Sequence, residues 1–345
     1  MASPVTAPVP HPVRFALALS CGLLAGFIAV REVIQPSALA RDFSQVWFAA
    51  RSVLDGVNPY PLVGPGLAFD WRWPLVYPLT AAVGVLPLAT LAEPVASVLF
   101  AAIGGGLFAW ALMRHGYGPL FGFFSLGVRE ATAATQWSPF LSSAFVLAPV
   151  AFFLAAKPTL GAAIFIARPS RWAVIGGVLL LIAAFLLQPT WLRDWLDAVQ
   201  RYQAIGGPGD RPFRMMVTFP GGVLALLCLL RWRRPEARLV AALACIPITV
   251  YAYESVPLML VPHTFWESAL LVALSYVQYY LALWLTPATA GHAEAQQMAG
   301  TMLALFLYLP ATLMVLRRPN EGPVCAWLKT RNARPKRMDP RPPGP

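Results

Sequence analysis

Residues 41–87 read RDFSQVWFAARSVLDGVNPYPLVGPGLAFDWRWPLVYPLTAAVGVLP, a long stretch in which acidic, basic and aromatic residues occur together within a mostly apolar chain. The spacing predicts an amphipathic helix that begins near Asp42 and ends at Gly56, followed by a turn at Asn58-Pro59. Such a helix would lie in the membrane interface, with an apolar arc on one side and a polar arc on the other. The apolar arc holds Phe43, Val46, Trp47, Ala50, Val53 and Leu54, and the polar arc holds Ser44, Gln45, Arg51, Ser52 and Asp55.

The composition places the chain among membrane proteins. Of its 345 residues, 58% are hydrophobic and 12% are charged, and the mean hydropathy is +0.62. Apolar runs approach the length that a helix needs to cross hydrocarbon, which predicts an all-α polytopic transmembrane protein with about 9 to 12 spans. The clearest runs are 15–30, 91–113, 172–187, 217–230, 239–251, 268–285 and 298–316, with shorter, proline-broken runs between them.

The net charge of +11 is concentrated in a few clusters and in the C-terminal tail. By the positive-inside rule these clusters belong to the cytoplasm, where they meet anionic lipid headgroups. We therefore predict a flexible N-terminus (1–14), a transmembrane domain (15–316) with an external catalytic loop (41–74) and a second external loop (189–216), and a basic, proline-rich cytoplasmic tail (317–345). No nucleic-acid-binding module is recognised, so nucleic acid is not an expected partner.

Two points of topology stay open at this stage. Residues 38–40, Ala-Leu-Ala, have the form of a signal-peptidase site, so residues 1–40 are either a cleaved signal or a retained first helix. Both alternatives place the 41–74 loop outside. Arg114 favours the cytoplasm, whereas strict alternation from that loop places it outside, so a re-entrant segment within 114–136 is one solution.

Two charged residues interrupt the apolar runs. Lys157 is the only lysine before residue 329, and a cation at a helix centre costs roughly 2.5 to 3.5 kcal/mol. It is expected to have a specific task or a partner, unless it extends from a helix end to the interface. Glu254 ends another run and is expected to pair with an arginine or to contact the functional site.

A second amphipathic helix is predicted in the 189–216 loop, again in the interface. Its acidic residues are interpreted as part of a solvated face. The apolar face holds Leu192, Trp195, Leu196, Val199 and Tyr202, and the other faces hold Arg193, Asp194, Asp197, Gln200 and Arg201.

The cysteines and histidines show no spacing typical of disulfides or metal sites. The cysteines are interpreted as small core residues, and neither a metal nor a cofactor is predicted. These residues are Cys21, Cys228, Cys245 and Cys325, and His11, His115, His263 and His292.

A series of short motifs in a fixed order resembles glycosyltransferase family 87, polyprenyl-phosphate-sugar-dependent enzymes of the GT-C superfamily. The resemblance spans roughly residues 15–290, and it rests on the order and spacing of the motifs together. The chain has Leu79 where the family commonly has a second proline, and Thr135 where it has a glycine before a glutamine. The motifs are Asp42, Phe48-Ala49-Ala50, Gly56-Val57-Asn58-Pro59-Tyr60, Tyr77-Pro78, Leu86-Pro87-Leu88, Gln136 and Lys157-Pro158.

This resemblance implies a GT-C fold and transfer of mannose or arabinose from a polyprenyl-phosphate-sugar donor to a lipid or glycan acceptor. The expected location is the external face of a bacterial plasma membrane, and no nucleotide sugar is involved. The expected site residues are Asp42 as catalytic base, Lys157, Arg72 and Arg129 for the donor phosphate, and Gln136, Tyr77, Tyr60, Asn58 and Glu254 for the sugar or acceptor.

The chemistry of the residues agrees with such a transfer. A lipid phosphate is a good leaving group, so a single general base is sufficient, and an ionised carboxylate such as Asp42 accelerates the step roughly a hundred- to ten-thousand-fold. A glycoside hydrolase instead needs paired carboxylates. Asp55 cannot complete such a pair, because 13 helical positions separate it from Asp42 by about 20 Å. No Asp-x-Asp lies near the loop, so a divalent ion is not required.

Three alternatives accompany this hypothesis. Asp42 followed by Gln45 is also the pattern of a helix capping box. Many spans with a buried Lys157 and Glu254 also describe a transporter or flippase of lipid-linked sugar, although no inverted repeat is recognised. A non-catalytic membrane scaffold is the third. The observation that separates them is whether Asp42 and Lys157 approach one cavity or lie on opposite sides of the bilayer.

Overall fold

The computed structural model describes residues 9–35, 42–205 and 213–322, and the protein is 73% helix with almost no strand. The only strands in these residues, β1 (Val63–Gly64) and β2 (Phe69–Asp70), form a short parallel pair. The α-helices are α1 (His11–Ile34), α2 (Asp42–Leu54), α3 (Leu79–Gly84), α4 (Glu93–Leu112), α5 (Leu126–Ala133), α6 (Trp137–Ser143), α7 (Pro158–Ala167), α8 (Arg171–Leu187), α9 (Trp191–Ile205), α10 (Pro235–Cys245), α11 (Phe265–Leu285), α12 (His292–Leu303) and α13 (Leu309–Leu316).

Several apolar segments form 3₁₀ helices, and a π-helical turn joins α12 to α13. Long 3₁₀ segments are unusual, because their hydrogen-bond geometry is poorer than that of an α-helix. The 3₁₀ segments are Leu88–Thr90, Met113–His115, Gly118–Phe124, Ala148–Ala156, Met216–Thr218, Gly222–Arg231 and Ala252–Leu260, and the π-helical turn is Ala304–Tyr308.

Four helices in the described residues are long and apolar enough to cross a membrane: His11–Ile34, Glu93–His115, Phe265–Leu285 and His292–Leu316. A fifth is present if α8 and α9, which meet at a bend of 96°, are counted as one broken span. The sequence predicts about 9 to 12 spans, and this number is not found as continuous helices. Proline and glycine divide the remaining apolar runs into shorter segments. The protein is therefore an all-α membrane protein.

Helix α1 begins at His11, within the stretch predicted to be flexible, because Pro12 occupies a first-turn position where a missing N–H is harmless. It packs along α4 through glycines. A Cβ added to Gly105 would lie 2.5 Å from the Cβ of Ala25, and one added to Gly22 would lie 2.8 Å from the carbonyl oxygen of Ala102. The glycine run of α4 is therefore a close-packing surface, as the sequence predicts. Residues 1–8 and the Ala-Leu-Ala site lie outside the described residues.

Both ends of the segment between residues 75 and 91 lie beside α2. Tyr77 lies beside the start of α2, while Trp47 of α2 donates to the carbonyl oxygen of Leu91 and Ser44 of α2 donates to Glu93. Both ends of the segment therefore lie at the same end of the molecule, which we name the α2 end. From Glu93, α4 runs about 30 Å to Arg114, at 1.5 Å per residue.

Residues 114–136 connect two ends of the molecule. Arg114 lies at the opposite end, which we name the arginine end. The 3₁₀ segment Gly118–Phe124 and α5 together return the chain to the α2 end, where the carbonyl oxygen of Ala134 accepts from the N–H of Asp42 at 2.9 Å. Because both ends of the 75–91 segment lie at the α2 end, the 41–74 loop and Arg114 lie at opposite ends of the molecule.

The arginine end is defined by Arg114, Arg168, Arg238 and Arg318 with their partners. Their guanidinium groups donate to main-chain carbonyl oxygens at helix ends or loops, where carbonyls lack partners. Arg114 also pairs with Glu236 at 2.8 Å. The acceptor carbonyls are those of Leu260, Phe145, Ala167 and Val261, respectively.

Helix α2 has the predicted bounds and ends before Gly56, whose φ of +72° suits glycine. Its polar arc is not solvated, however. Ser44, Gln45 and Ser52 are buried among protein, and only the outer part of that arc, with Arg51, is exposed. The prediction of an interfacial helix with one wet face is therefore wrong for its first turns, because Ser44 and Gln45 bond to side chains of the protein interior.

Helix α9 is amphipathic, and it packs through only part of the predicted apolar face. Trp191 and Ala198 are buried, whereas Leu192 and Leu196 are 41% and 47% exposed. Asp194 is not part of a solvated face, because it accepts hydrogen bonds from Asn58 and Thr190 at 2.8 and 2.7 Å. The indole of Trp195, a member of the predicted apolar face, donates to the carbonyl oxygen of Val76. These contacts attach α9 to the 41–74 loop and its continuation.

Candidate functional site

A cavity of about 410 Å³ opens at the α2 end. The first residue of α2, the residue before α6, the start of α7 and the start of the 3₁₀ segment Ala252–Leu260 all contribute to its wall. Its polar side chains gather in one part, and aromatic rings form much of the rest. The polar members are Asp42, Gln45, Arg72, Gln136, Lys157, Thr159, Gln203, Thr249 and Glu254, and the aromatic members are Trp71, Trp73, Tyr77, Trp195, Tyr202, Phe213, Tyr251 and Tyr253.

Gln136 connects the carboxylate of Asp42 to the ammonium of Lys157. Its side-chain N–H₂ donates to Oδ2 of Asp42. Its Oε1 accepts from the hydroxyl of Tyr77 at 3.3 Å and from Nζ of Lys157 at 3.4 Å. Because one amide orients both groups, the position of the carboxylate is coupled to that of the cation.

Two side chains of the cavity wall, those of Tyr77 and Lys157, are positioned by the same local feature of the sequence. Tyr77 and Lys157 each precede a proline, and the proline ring disfavours the helical conformation in the residue before it. Tyr77-Pro78 comes before α3, and Lys157-Pro158 comes before α7, so each side chain lies just before the start of a helix. Lys157 has φ −133° and ψ 84°. The cation therefore lies at a helix start.

Gln136 is positioned by an unusual turn at the end of α5. Thr135 has φ +51°, the only positive φ of a non-glycine residue in the described part of the chain. The N–H of Gln136 then reaches back to the carbonyl oxygen of Ala131 at 2.7 Å, as in a helix C-terminal motif that usually carries glycine at this point.

Lys157 has the partner that the sequence left unidentified. Its Nζ lies 2.8 Å from Oε1 of Glu254, and the two side chains are 13% and 4% exposed. The same carboxylate oxygen accepts from the hydroxyl of Thr249 at 3.3 Å. Lys157 is therefore not extended to an interface, and Glu254 pairs with a lysine, not with an arginine as predicted.

Asp42 lies where a carboxylate is partly removed from water. Burial raises the pKa of this carboxyl from its ordinary value of 3.8 to about 6, while Lys157 and the hydrogen bond from Gln136 oppose the rise. Arg72, an exposed residue at the cavity rim, opposes it as well. Asp42 is thus ionised at neutral pH, with a basicity above that of an ordinary aspartate.

Three predicted site residues do not line the cavity. Arg129 is exposed on α5 and is absent from the cavity wall. Asn58 accepts from the N–H of Tyr60 and donates to Asp194, so it shapes the loop. Tyr60 is 1% exposed and donates to the carbonyl oxygen of Tyr77 at 3.2 Å. The last two support the site from behind, and none of the three lies on the wall of the cavity as described.

Asp42 does not act as a capping box with Gln45. The Nε2 of Gln45 lies 3.4 Å from Oδ1 of Asp42, so the two side chains contact each other. The bonds from side chain to main chain that a capping box requires are not found for this pair in the described structure. Asp55, at the other end of α2, is exposed beside Arg51 and takes no part in the cavity.

Apart from Glu254, the sequence did not identify the wall contributed by residues 247–254. Thr249 supports Glu254, and the rings of Tyr251 and Tyr253 stack with centroids 5.3 Å apart. Nζ of Lys157 lies 5.3 Å from the centroid of the Tyr253 ring. The only hint in the sequence was an aromatic pair directly before a carboxylate within an apolar region.

A second cluster, at the arginine end, was also not predicted. One ligand atom from each of His115, Glu236 and His263 lies within 4.8 Å of the others, a distance compatible with a metal site. However, the guanidinium of Arg114 already lies 2.8 Å from the carboxylate oxygen concerned. We therefore interpret the group as a polar cluster around the Arg114–Glu236 ion pair, which joins the segment after α4, the start of α10 and the residues before α11.

No protein-family model, curated protein or solved structure matches the chain.

Proposed function

We propose that this protein is a multi-pass glycosyltransferase of GT-C type. In this proposal it moves a hexose or pentose, mannose-like being favoured, from a polyprenyl-phosphate donor to a hydroxyl of a lipid or glycan acceptor. The observation that carries the proposal is that Asp42 and Lys157, far apart in sequence, line one cavity and are joined by Gln136.

The proposed step is a direct displacement. The acceptor hydroxyl gives its proton to the carboxylate of Asp42, and its oxygen forms a bond to the anomeric carbon. The bond between that carbon and the phosphate oxygen breaks, and its electron pair leaves with the phosphate. The proton then passes from Asp42 to the released phosphate or to solvent, so that atoms and charge balance. Attack from the face opposite the phosphate inverts the anomeric carbon.

Positive charge at the cavity fits an anionic leaving group. Lys157 and Arg72 are the cations of the wall, and charge-assisted hydrogen bonds to phosphate are stronger than neutral ones. In addition, α7 and the Ala252–Leu260 segment both begin there, and helix starts carry partial positive charge. The aromatic part of the wall offers apolar surface to a prenyl chain or a sugar face.

The distribution of arginines supports the orientation. The arginine end gathers guanidinium groups, which the positive-inside rule assigns to the cytoplasm. The cavity then belongs to the external side of the plasma membrane, where lipid-linked sugars act as donors without nucleotide. Along one route from the cavity to the arginine end, the Ala252–Leu260 segment, Val256, Leu258 and Met259 are completely buried. This packing favours transfer over transport.

The test uses purified protein in liposomes that contain polyprenyl-phosphate hexose or pentose. Transfer should release polyprenyl phosphate and glycosylated product in equal amounts, measured by mass spectrometry. The Asp42→Asn variant serves as the catalytically inactive control. If donor lipid crosses the bilayer while no sugar is transferred, the transporter alternative replaces the transferase.

A further inference from the structure

The Lys157–Glu254 pair sets the charge of the cavity. Among the described residues of its wall, the charged groups are Lys157 and Arg72 on one side and Asp42 and Glu254 on the other. With Asp42 ionised, the wall has two positive and two negative charges and hence no net charge. Without Glu254 it would carry one excess positive charge.

Glu254 is held so that it acts on Lys157 and not directly at the opening of the cavity. Its Oε1 accepts from Lys157 at 2.8 Å and from Thr249 at 3.3 Å, and the residue is 4% exposed. The ammonium of Lys157 has three N–H donors. Glu254 takes one, Gln136 lies within 3.4 Å of another, and the third remains for a ligand in the cavity.

The proposed reaction changes the charge of the lipid phosphate. A polyprenyl-phosphate sugar is a phosphodiester with one negative charge. The released polyprenyl phosphate is a monoester with a charge of about −1.5 to −2 at pH 7, because its second pKa is about 6. A cavity with excess positive charge would therefore bind the product more tightly than the donor and would release it slowly.

We propose that Glu254 is a positioning residue which, through Lys157, makes the cavity favour the singly charged donor over the doubly charged product. This inference rests on the proposed function. Glu254 fixes the ammonium against Gln136 and neutralises its charge, so that the phosphodiester is held while the second charge of the monoester gains no extra attraction. Glu254 itself exchanges no proton with the substrates.

The test is the Glu254→Gln variant, which keeps the size of the side chain and an oxygen acceptor for Lys157. We expect the inhibition constant of polyprenyl monophosphate to fall about tenfold relative to the KM of the donor, since one repulsive charge is removed at close range. We also expect kcat to fall as product release slows. Glu130→Gln is the matched control, because Glu130 is 8% exposed on α5 and does not line the cavity.

A pH series separates this role from a merely structural one. At pH 5 the monoester carries a single charge, so the difference between Glu254→Gln and wild type in monoester affinity should disappear. Asp42 also titrates in this range, and the charge of Glu254 contributes to its raised pKa. The comparison is therefore repeated in an Asp42→Asn background, where this carboxyl group is absent. Glu254→Asp, which keeps the charge, should restore the preference for the donor if the shorter side chain still reaches Lys157.

The affinities are also measured without turnover, by competition of the two lipids for the purified protein. This competition measurement distinguishes the proposed transferase function from the proposed role of Glu254. A wild-type protein that binds both lipids but transfers no sugar refutes the proposed function alone. An unchanged ratio of monoester to donor affinity in a folded Glu254→Gln protein overturns the role of Glu254, whether or not sugar is transferred.

Discussion

The α2 end and the arginine end differ in how they use positive charge, although the same two segments connect them. Helix α7 and the Ala252–Leu260 segment begin at the α2 end with Lys157 and Glu254, and end where Arg238 and Arg114 donate to their last carbonyl oxygens. The last turn of a helix offers free carbonyls, whereas the first turn offers free N–H groups. A cation at a helix start therefore finds no carbonyl of that helix to bind. It is held by side chains and stays available to a ligand.

The largest expected effect on transfer is that of a substitution at Asp42, at the α2 end. We expect Asp42→Asn to reduce transfer about a hundred- to ten-thousand-fold, because the general base is lost while the hydrogen bond to Gln136 can be kept. Its melting temperature should equal or exceed that of the wild type, since burial of the charged carboxylate opposes folding at neutral pH. Turnover of lipid-linked donor and thermal unfolding in detergent measure the two effects. Asp55→Asn, at the exposed end of the same helix, is the control, and an active Asp42→Asn protein would remove the base from the mechanism.

At the arginine end we expect the opposite result, in which a substitution lowers stability and leaves transfer unchanged. Glu236→Ala leaves Arg114 without its carboxylate in a buried setting, and breaking a pair in this way costs about 3 kcal/mol or more. Transfer per folded molecule should stay at the wild-type level. The check is the unfolding free energy together with kcat corrected for the folded fraction. Glu267→Ala, which removes a more exposed partner of Arg318, should cost less. A specific loss of kcat in Glu236→Ala would contradict the separation of the two ends.

The pH profile provides a third test. The pKa of Asp42 is raised to about 6, and only its deprotonated form accepts a proton. We therefore expect kcat/KM for the acceptor to be constant above pH 7 and to fall about tenfold per pH unit below pH 6. Initial rates between pH 4.5 and 8, with stability checked at each pH, give the midpoint. A flat profile across this range would exclude Asp42 as the base.

The smallest expected effect concerns the turn that presents Gln136. Thr135 has a left-handed backbone, and its hydroxyl is buried without a hydrogen-bond partner in the described structure. Thr135→Gly should stabilise the protein by about 1 kcal/mol, because the left-handed conformation costs a residue with a Cβ roughly that much. Turnover should not change. Thr132→Gly, inside α5, is the matched control and should destabilise the protein, as read from thermal unfolding.

The polar core of the site was predictable because its signals are local. The proline that follows Tyr77 and the proline that follows Lys157 restrict the backbone of these two residues. An isolated lysine in an apolar run requires a partner. The expectation that Asn58 and Tyr60 contact the sugar or acceptor also came from a local signal. An Asn-Pro-Tyr turn looks like an exposed binding loop, but Asn58 is occupied by the turn itself and by Asp194.

Other errors arose from contacts that the sequence does not encode nearby. Nothing near Arg129 shows which face of α5 turns away from the cavity. The cluster of His115, Glu236 and His263 joins residues more than 100 positions apart, so spacing rules could not detect it. Hydropathy predicts more spans than there are long continuous helices, because hydropathy counts apolar residues, whereas proline and glycine decide whether a run stays one helix.

The glycine contact between α1 and α4 has a mechanical consequence for the cavity. Helix α4 starts at Glu93, whose carboxylate accepts from Ser44, two residues beyond Asp42. A larger side chain at Gly105 would collide with Ala25 and force α1 and α4 apart. The displacement of α4 would then shift the first turn of α2, which is bound to Glu93. For the proposed transferase, we therefore expect inactivating substitutions outside the cavity as well, because the position of Asp42 depends on the contact between α1 and α4.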